Sequence, residues 1–260
     1  MMSFPWKSAL VTGASAGIGE AITRQLAGKG VHTVAVARRG DRLAALAAEF
    51  PDGRVEVLAV DLATQAGLEA VGARAESVDL LVNNAGFGSS GPFVDTELDR
   101  LVGQIELNVA VLTVLCRRAA PKMVERGSGW ILNVSSLVSF QPSPNFAVYA
   151  ASKAYVTSFS ESLAAELAPR GVVVTVQCPG LTRTEFHTVS SGDGESVHGV
   201  DRIPALAWQS AEAVAIAGLE ATAKGKLIAV PGALNRVFAG VTRTLPRQLV
   251  NAVARRVTVR

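Results

Sequence analysis

The chain is poor in the residues that build sulfur and imidazole sites: its 260 residues include two cysteines, Cys116 and Cys178, and three histidines, His32, His187 and His198. One cysteine falls in an expected long helix and the other at a strand end. That excludes a disulfide framework or a metal knuckle and suits a reducing cytosol. The histidines are scattered without ligand spacing, so no metal is expected. No run of about eighteen apolar residues is available to span a bilayer, and the opening Met-Met-Ser-Phe-Pro-Trp-Lys reaches the first expected strand too soon to hold a secretory signal. A soluble, cytoplasmic protein is expected. Low-complexity tracts are missing too, as are repeats beyond a strand–helix alternation.

Acidic residues are absent from the end of the chain. None follows Glu220, whereas Lys224, Lys226, Arg236, Arg243, Arg247, Arg255, Arg256 and Arg260 do. The formal net charge of +3 is therefore a basic tail on an acidic body, and it gives no ground for nucleic-acid binding. Within the tail Leu234, Val237, Phe238, Val241 and Leu245, then Leu249 or Val250, Val253 and Val257, recur at helical spacing, and Pro246 separates two short amphipathic helices. We expect this extension, residues 233–260, to pack on its own subunit or a neighbour. Docking on an anionic membrane surface is the competing reading.

Apolar residues are what the chain has in quantity, at 49% of the total, enough for one substantial core in a single domain. Apolar, β-branched runs near 7–12, 31–36, 55–60, 79–82, 130–134, 172–177 and 227–230 alternate with helical stretches. That is the pattern of an α/β protein whose parallel sheet, of about seven strands, is covered by helices on both faces.

The first run, Ala9-Leu10-Val11, leads through Thr12-Gly13-Ala14-Ser15-Ala16-Gly17-Ile18-Gly19 into a helical stretch. Glycines allow a tight turn and the close approach of a pyrophosphate, and free N–H groups at the helix start attract its charge. The spacing is Gly-x-x-x-Gly-x-Gly rather than the Gly-x-Gly-x-x-Gly of the common dinucleotide fingerprint. Far along the chain, Tyr149 and Lys153 share one helix face. A phenol titrates near ~10 and a neighbouring ammonium favours its ionised form, so the lysine is expected to lower the tyrosine toward working pH.

Together with Asn83-Asn84-Ala85-Gly86, Asn108, Ser135-Ser136 and Pro179-Gly180 followed by Thr184, these motifs resemble the short-chain dehydrogenase/reductase family. They stand in the family's order, from about Lys7 to about Gly232. The resemblance implies a Rossmann-type doubly wound sheet over residues 1–232, and a hydride transfer between NADP(H) and a carbonyl or secondary alcohol. Tyr149 would then donate a proton to the substrate oxygen, and Ser136 would hydrogen-bond that oxygen with Ser135 as its structural neighbour. Lys153 would lower the tyrosine's pKa and hold the nicotinamide ribose, and Asn108 would anchor a water relay to the lysine. Cofactor contacts are implied for Gly13, Ser15, Gly17, Ile18 and Gly19 in the turn, for Asp61 and Leu62 at the adenine, and for Asn83, Ala85 and Gly86 in the cleft. Pro179, Gly180, Thr182 and Thr184 would meet the nicotinamide, alongside Tyr149 and Lys153. At the end of the second strand Ala37 stands where NAD-preferring members carry Asp, and Arg38 follows it. A guanidinium there grips a 2′-phosphate through paired hydrogen bonds. NADP(H) is thus expected over NAD(H), with Arg39 supplying the charge that Ala16 lacks.

Substrates in this family are read by variable segments, here 87–93, 137–146 and 181–203. Leu137, Phe140, Phe146 and Phe186 would line an apolar pocket, and Ser190–Glu195 would form a lid. An apolar ketone or aldehyde, or the matching alcohol, is the expected small-molecule partner. Helices near 98–126 and 147–169 are the surfaces relatives use to assemble, so a homodimer or homotetramer is expected. A non-catalytic NADP(H)-binding sensor or scaffold on the same fold is the alternative, and the complete set of Asn108, Ser136, Tyr149 and Lys153 argues against it.

Overall fold

Side-chain alternation explains why the first strand lies at the centre of the molecule. In a computed structural model, which describes residues 4–186, 190, 204–246 and 248–250, Leu10 turns to one face of the sheet and Ala9 and Val11 to the other, all fully buried. The strands are β1 (Ser8–Thr12), β2 (His32–Ala37), β3 (Val55–Ala59), β4 (Leu80–Asn83), β5 (Gly129–Val134), β6 (Val172–Gln177), a short pair β7 (Thr182–Arg183) and β8 (Gln209–Ser210), and β9 (Ile228–Ala229). Seven of them form one sheet in the order β3-β2-β1-β4-β5-β6-β9, every pairing parallel, while β7 and β8 pair apart from it.

The helices are α1 (Gly17–Gly28), α2 (Gly40–Ala48), α3 (Gln65–Ala75), α4 (Leu98–Ile105), α5 (Leu112–Arg126), α6 (Ala147–Leu167), α7 (Ala211–Ala223) and α8 (Ala233–Thr244). Leu10, Leu81, Ile131 and Val174 pack with Val71 of α3, Leu115 and Met123 of α5 and Val156 of α6. On the opposite face Ala9, Val11, Leu80 and Leu132 pack with Ile22 and Leu26 of α1, Leu43 of α2 and Leu219 of α7. Both faces are thus covered, as the continuous apolar runs require. The strand order reverses between β1 and β4, which opens a crevice at their carboxyl ends, where open α/β sheets bind ligands.

One expectation changes. The long helix read over 98–126 is interrupted, because Glu106–Val111 winds as a π-helix between α4 and α5. Such wide turns are frequent at functional sites, and this one carries Asn108. The first tail helix is present as α8, held through buried Ala239 and an Arg243–Glu161 ion pair at 3.3 Å. The second, apart from 248–250, lies outside the described residues. So do His187, His198 and, apart from Ser190, the expected lid. Among the described residues no helix is long and apolar enough to cross a membrane, and no cluster of His, Cys, Asp or Glu could hold a metal.

Candidate active site

The carboxyl end of β5 delivers two serines with different tasks. Ser135 is buried; its hydroxyl meets the Lys153 carbonyl at 2.8 Å and the Thr157 hydroxyl at 2.9 Å, locking the strand end to α6. Ser136 starts a single 3-10 turn, accepts weakly from the Val138 amide at 3.4 Å, and lies near enough to the Tyr149 phenol to act on its pKa. Ser135 is thus fixed between strand and helix, and Ser136 is the one on the side of Tyr149.

Tyr149 and Lys153 share one face of α6, with Nζ 5.8 Å from the ring centre, and both are buried. The expected lowering of the phenol's pKa is not found. Burial pushes it up to about 12, and the nearby Ser136 hydroxyl pulls the other way. The physical reason is that a phenolate loses more hydration in this pocket than a lysine aimed elsewhere returns. Lys153 Nζ donates to the Val134 carbonyl at 2.9 Å, and burial lowers its own pKa to about 8.

Asn108 is buried beneath this pair. Its Oδ1 accepts from the Phe87 amide at 3.1 Å, and its Nδ2 donates to the Phe87 carbonyl at 2.9 Å and to Ser152 Oγ at 3.1 Å. With both ends of the amide engaged, the side chain braces the loop after β4. Gly86 fits between these groups, since a β-carbon there would lie 2.7 Å from Asn108 Oδ1 and 3.5 Å from Lys153 Nζ.

At the other end of the crevice the glycine turn suits an anion. Gly13 and Gly17 have φ of +69° and +57°, a region that side chains with a β-carbon avoid. Ala16 precedes α1 and offers no capping side chain, which leaves the first-turn amides of Gly17, Ile18 and Gly19 for a phosphate. Ser15 borders this turn, and Arg39 folds back onto it, with Nε 3.2 Å from Ser15 Oγ. Arg38 is exposed. This donor set fits the phosphates of a dinucleotide.

The Asn83 side chain points into the core, its Nδ2 2.9 Å from Asn133 Oδ1 and 3.2 Å from Cys116 Sγ, because the last residue of a central strand alternates inward, which leaves its backbone for the crevice. Leu62 packs its side chain in the core, and Asp61 Oδ1 accepts from the Ala63 amide at 2.9 Å. What approaches Gly180 is Asn235 of α8, whose Nδ2 lies 2.5 Å from the place a β-carbon would take. Thr182 is buried and bonds the Gly180 carbonyl at 3.0 Å; Thr184 sits with its methyl over Gly17. Phe140 packs against the core beneath Arg243, 5.4 Å from its ring, and does not face Tyr149. Phe146 and Phe186 do flank Tyr149, with ring centres 6.3 and 5.3 Å away.

Sequence reasoning passed over three residues. Thr12 Oγ1 accepts from the Asn84 and Ala85 amides, both at 3.0 Å, and donates to the Val82 carbonyl at 3.3 Å. Asn84 Nδ2 in turn donates to the Thr12 carbonyl at 2.9 Å, tying the glycine turn to the end of β4. Both stood inside motifs already singled out, so their signal was available. Glu185, which pairs with Arg39 and Arg42, had none beyond being acidic.

Residues 7–193 match the short chain dehydrogenase family. The chain belongs to that family. A short chain dehydrogenase from Pseudocercospora fijiensis is 40% identical over 188 residues, 69% of this chain and 61% of that one, so the match spans less than two thirds of that relative. The probable oxidoreductase EphD of Mycobacterium tuberculosis is 33% identical over 276 residues, covering 95% of this chain and 44% of its own length. Among solved structures, a short-chain dehydrogenase from Sphingobium yanoikuyae in complex with NADPH aligns with a TM-score of 0.79 at 33% identity, covering 92% of this chain and 96% of that one. The bulky-bulky ketone specific alcohol dehydrogenase from Comamonas testosteroni aligns with a TM-score of 0.76 at 28% identity, covering 93% and 95%. This short-chain dehydrogenase therefore shares its Rossmann-type doubly wound sheet with oxidoreductases of the family.

Proposed function

We propose that this short-chain dehydrogenase interconverts an apolar ketone or aldehyde and the matching alcohol, using NADP(H) in preference to NAD(H). The observation that carries the reading is the buried Tyr149 phenol, near Ser136, backed by Lys153 and flanked by the rings of Phe146 and Phe186. NADP(H), when bound, supplies or accepts the hydride. Burial keeps Tyr149 protonated at neutral pH, so its hydroxyl can deliver a proton to the oxygen that becomes alkoxide. Ser136 holds the same oxygen by a hydrogen bond. Lys153, with a pKa of about 8, is still mostly an ammonium at neutral pH and stabilises the phenolate that remains. The uncapped start of α1 and the cation of Arg39 beside Ser15 would hold the dinucleotide's phosphates. The NADPH in the Sphingobium structure and the bulky ketones of the Comamonas enzyme support the cofactor and substrate classes.

The test is oxidation of NADPH and of NADH against a panel of apolar ketones and aldehydes, with Tyr149→Phe as the control. We expect faster turnover with NADPH, and a loss of about 10²–10⁴-fold in the variant while NADPH still binds. Wild-type protein that binds NADPH tightly yet turns over no member of the panel would sink the reading.

A further inference from the structure

The Glu185 carboxylate lies between two arginines at the corner where β2 passes into α2. Its Oε2 is 2.8 Å from Arg39 Nη1, and its Oε1 pairs with Arg42 Nη1. The same Arg39 reaches Ser15 Oγ on the glycine turn. Two guanidinium groups around one anion, with a hydroxyl beside one of them, make a donor set that recognises a phosphate monoester. Here a side chain of the same protein fills it. Glu185 directly follows Thr184, whose methyl rests on Gly17, so the segment leading to the substrate loop lies across the start of α1 and walls a groove of about 250 Å³ with Ala16, Gly17 and Glu20.

We infer that Glu185 is an internal competitor for the cofactor's 2′-phosphate, and so a residue that sets the balance between phosphorylated and unphosphorylated dinucleotides. The inference rests on the proposed use of NADP(H). Both ion pairs are close to half exposed, at 42–45% for the three side chains, and pairs of that kind are weak. A phosphate monoester carries close to two negative charges at neutral pH, and Arg38 beside Arg39 adds another cation to attract it. The phosphate therefore displaces the carboxylate and frees the 184–186 segment from the glycine turn. A dinucleotide with a plain 2′-hydroxyl has no charge to exchange, and the clamp stays in place.

The experiment measures dissociation constants for 2′,5′-ADP and 5′-AMP, which occupy only the adenosine half of the site, and for NADPH and NADH. Wild type is compared with Glu185→Gln, Glu185→Ala, Arg39→Gln and the Arg39→Gln/Glu185→Gln double variant. Removing the carboxylate should tighten 2′,5′-ADP and NADPH by about three- to tenfold, leave 5′-AMP and NADH unchanged, and lose its effect as salt is raised. In the Arg39→Gln background the gain should vanish, because the two side chains act on each other. Equal shifts for ligands with and without the 2′-phosphate, or no shift for either, would overturn the inference alone, provided wild type prefers 2′,5′-ADP over 5′-AMP. Absence of that preference in wild type would overturn the NADP(H) reading, and the inference with it.

Discussion

Tyr149 and Lys153 are driven apart from their ordinary pKa values by one cause acting on opposite charges. Burial disfavours the anion of the phenol and the cation of the amine, raising one to about 12 and lowering the other to about 8. Their spacing along α6 makes the pair legible in the sequence, but spacing reports proximity and not depth, and depth sets the direction of the tyrosine's shift. Arg38 and Arg39 show the same limit: the residue types alone give the 2′-phosphate to Arg38, whereas the backbone turn into α2 brings Arg39 onto Ser15. The lysine has a consequence for stability. Its folded pKa lies below its usual 10.5, so the unfolded chain binds more protons between about pH 8 and 10.5, and folding is favoured as pH rises through that window. The contribution is complete above 10.5 and lost as pH falls to about 8. Denaturant unfolding of wild type and Lys153→Met should therefore show wild type gaining on the variant between those values; a pH-independent difference would mean that Lys153 does not titrate there.

The strand ends of β1 and β4 hold the glycine turn more firmly than its own sequence suggests. Thr12 is 1% exposed, and its hydroxyl serves two amides and one carbonyl at once. Thr12→Val keeps the shape but leaves the Asn84 and Ala85 amides without their acceptor, at a cost of about 1–3 kcal/mol for each group left unpaired. Urea unfolding should show a lower midpoint for Thr12→Val, whereas Thr12→Ser should stay close to wild type. At this scale the strands were readable because fully covered parallel strands appear as continuous apolar runs. The π-helical turn at Glu106–Val111 was not, since the apolar spacing of α4 continues into α5 with nothing in the residue types to mark where the hydrogen bonds lengthen.

Across the whole molecule, the order of the sheet follows from strands that alternate with helices, and the crevice follows from that order. Apolar residues also remain outside. Leu98, Val102 and Ile105 of α4 share one face and are 70%, 44% and 47% exposed, an apolar stripe of the kind that marks a protein contact. We propose that α4 takes part in a homodimer or homotetramer. Light scattering of Ile105→Glu should then give a smaller assembly than wild type, and an unchanged mass would remove this face from consideration. The expected tail helix packs on its own domain as α8, but only partly: Leu234 and Val237 are 62% and 64% exposed, and the basic residues of sequence end beyond the described part. That helix has another property. Asn235 donates to the Pro231 carbonyl at 2.9 Å and at the same time presses on Gly180, in the Pro179-Gly180 turn from which the segment toward Thr184 and Glu185 departs. Asn235 is thereby one point at which the tail helix touches the turn that leads on to the Arg39–Glu185 corner, so an exchange at this single amide reaches both.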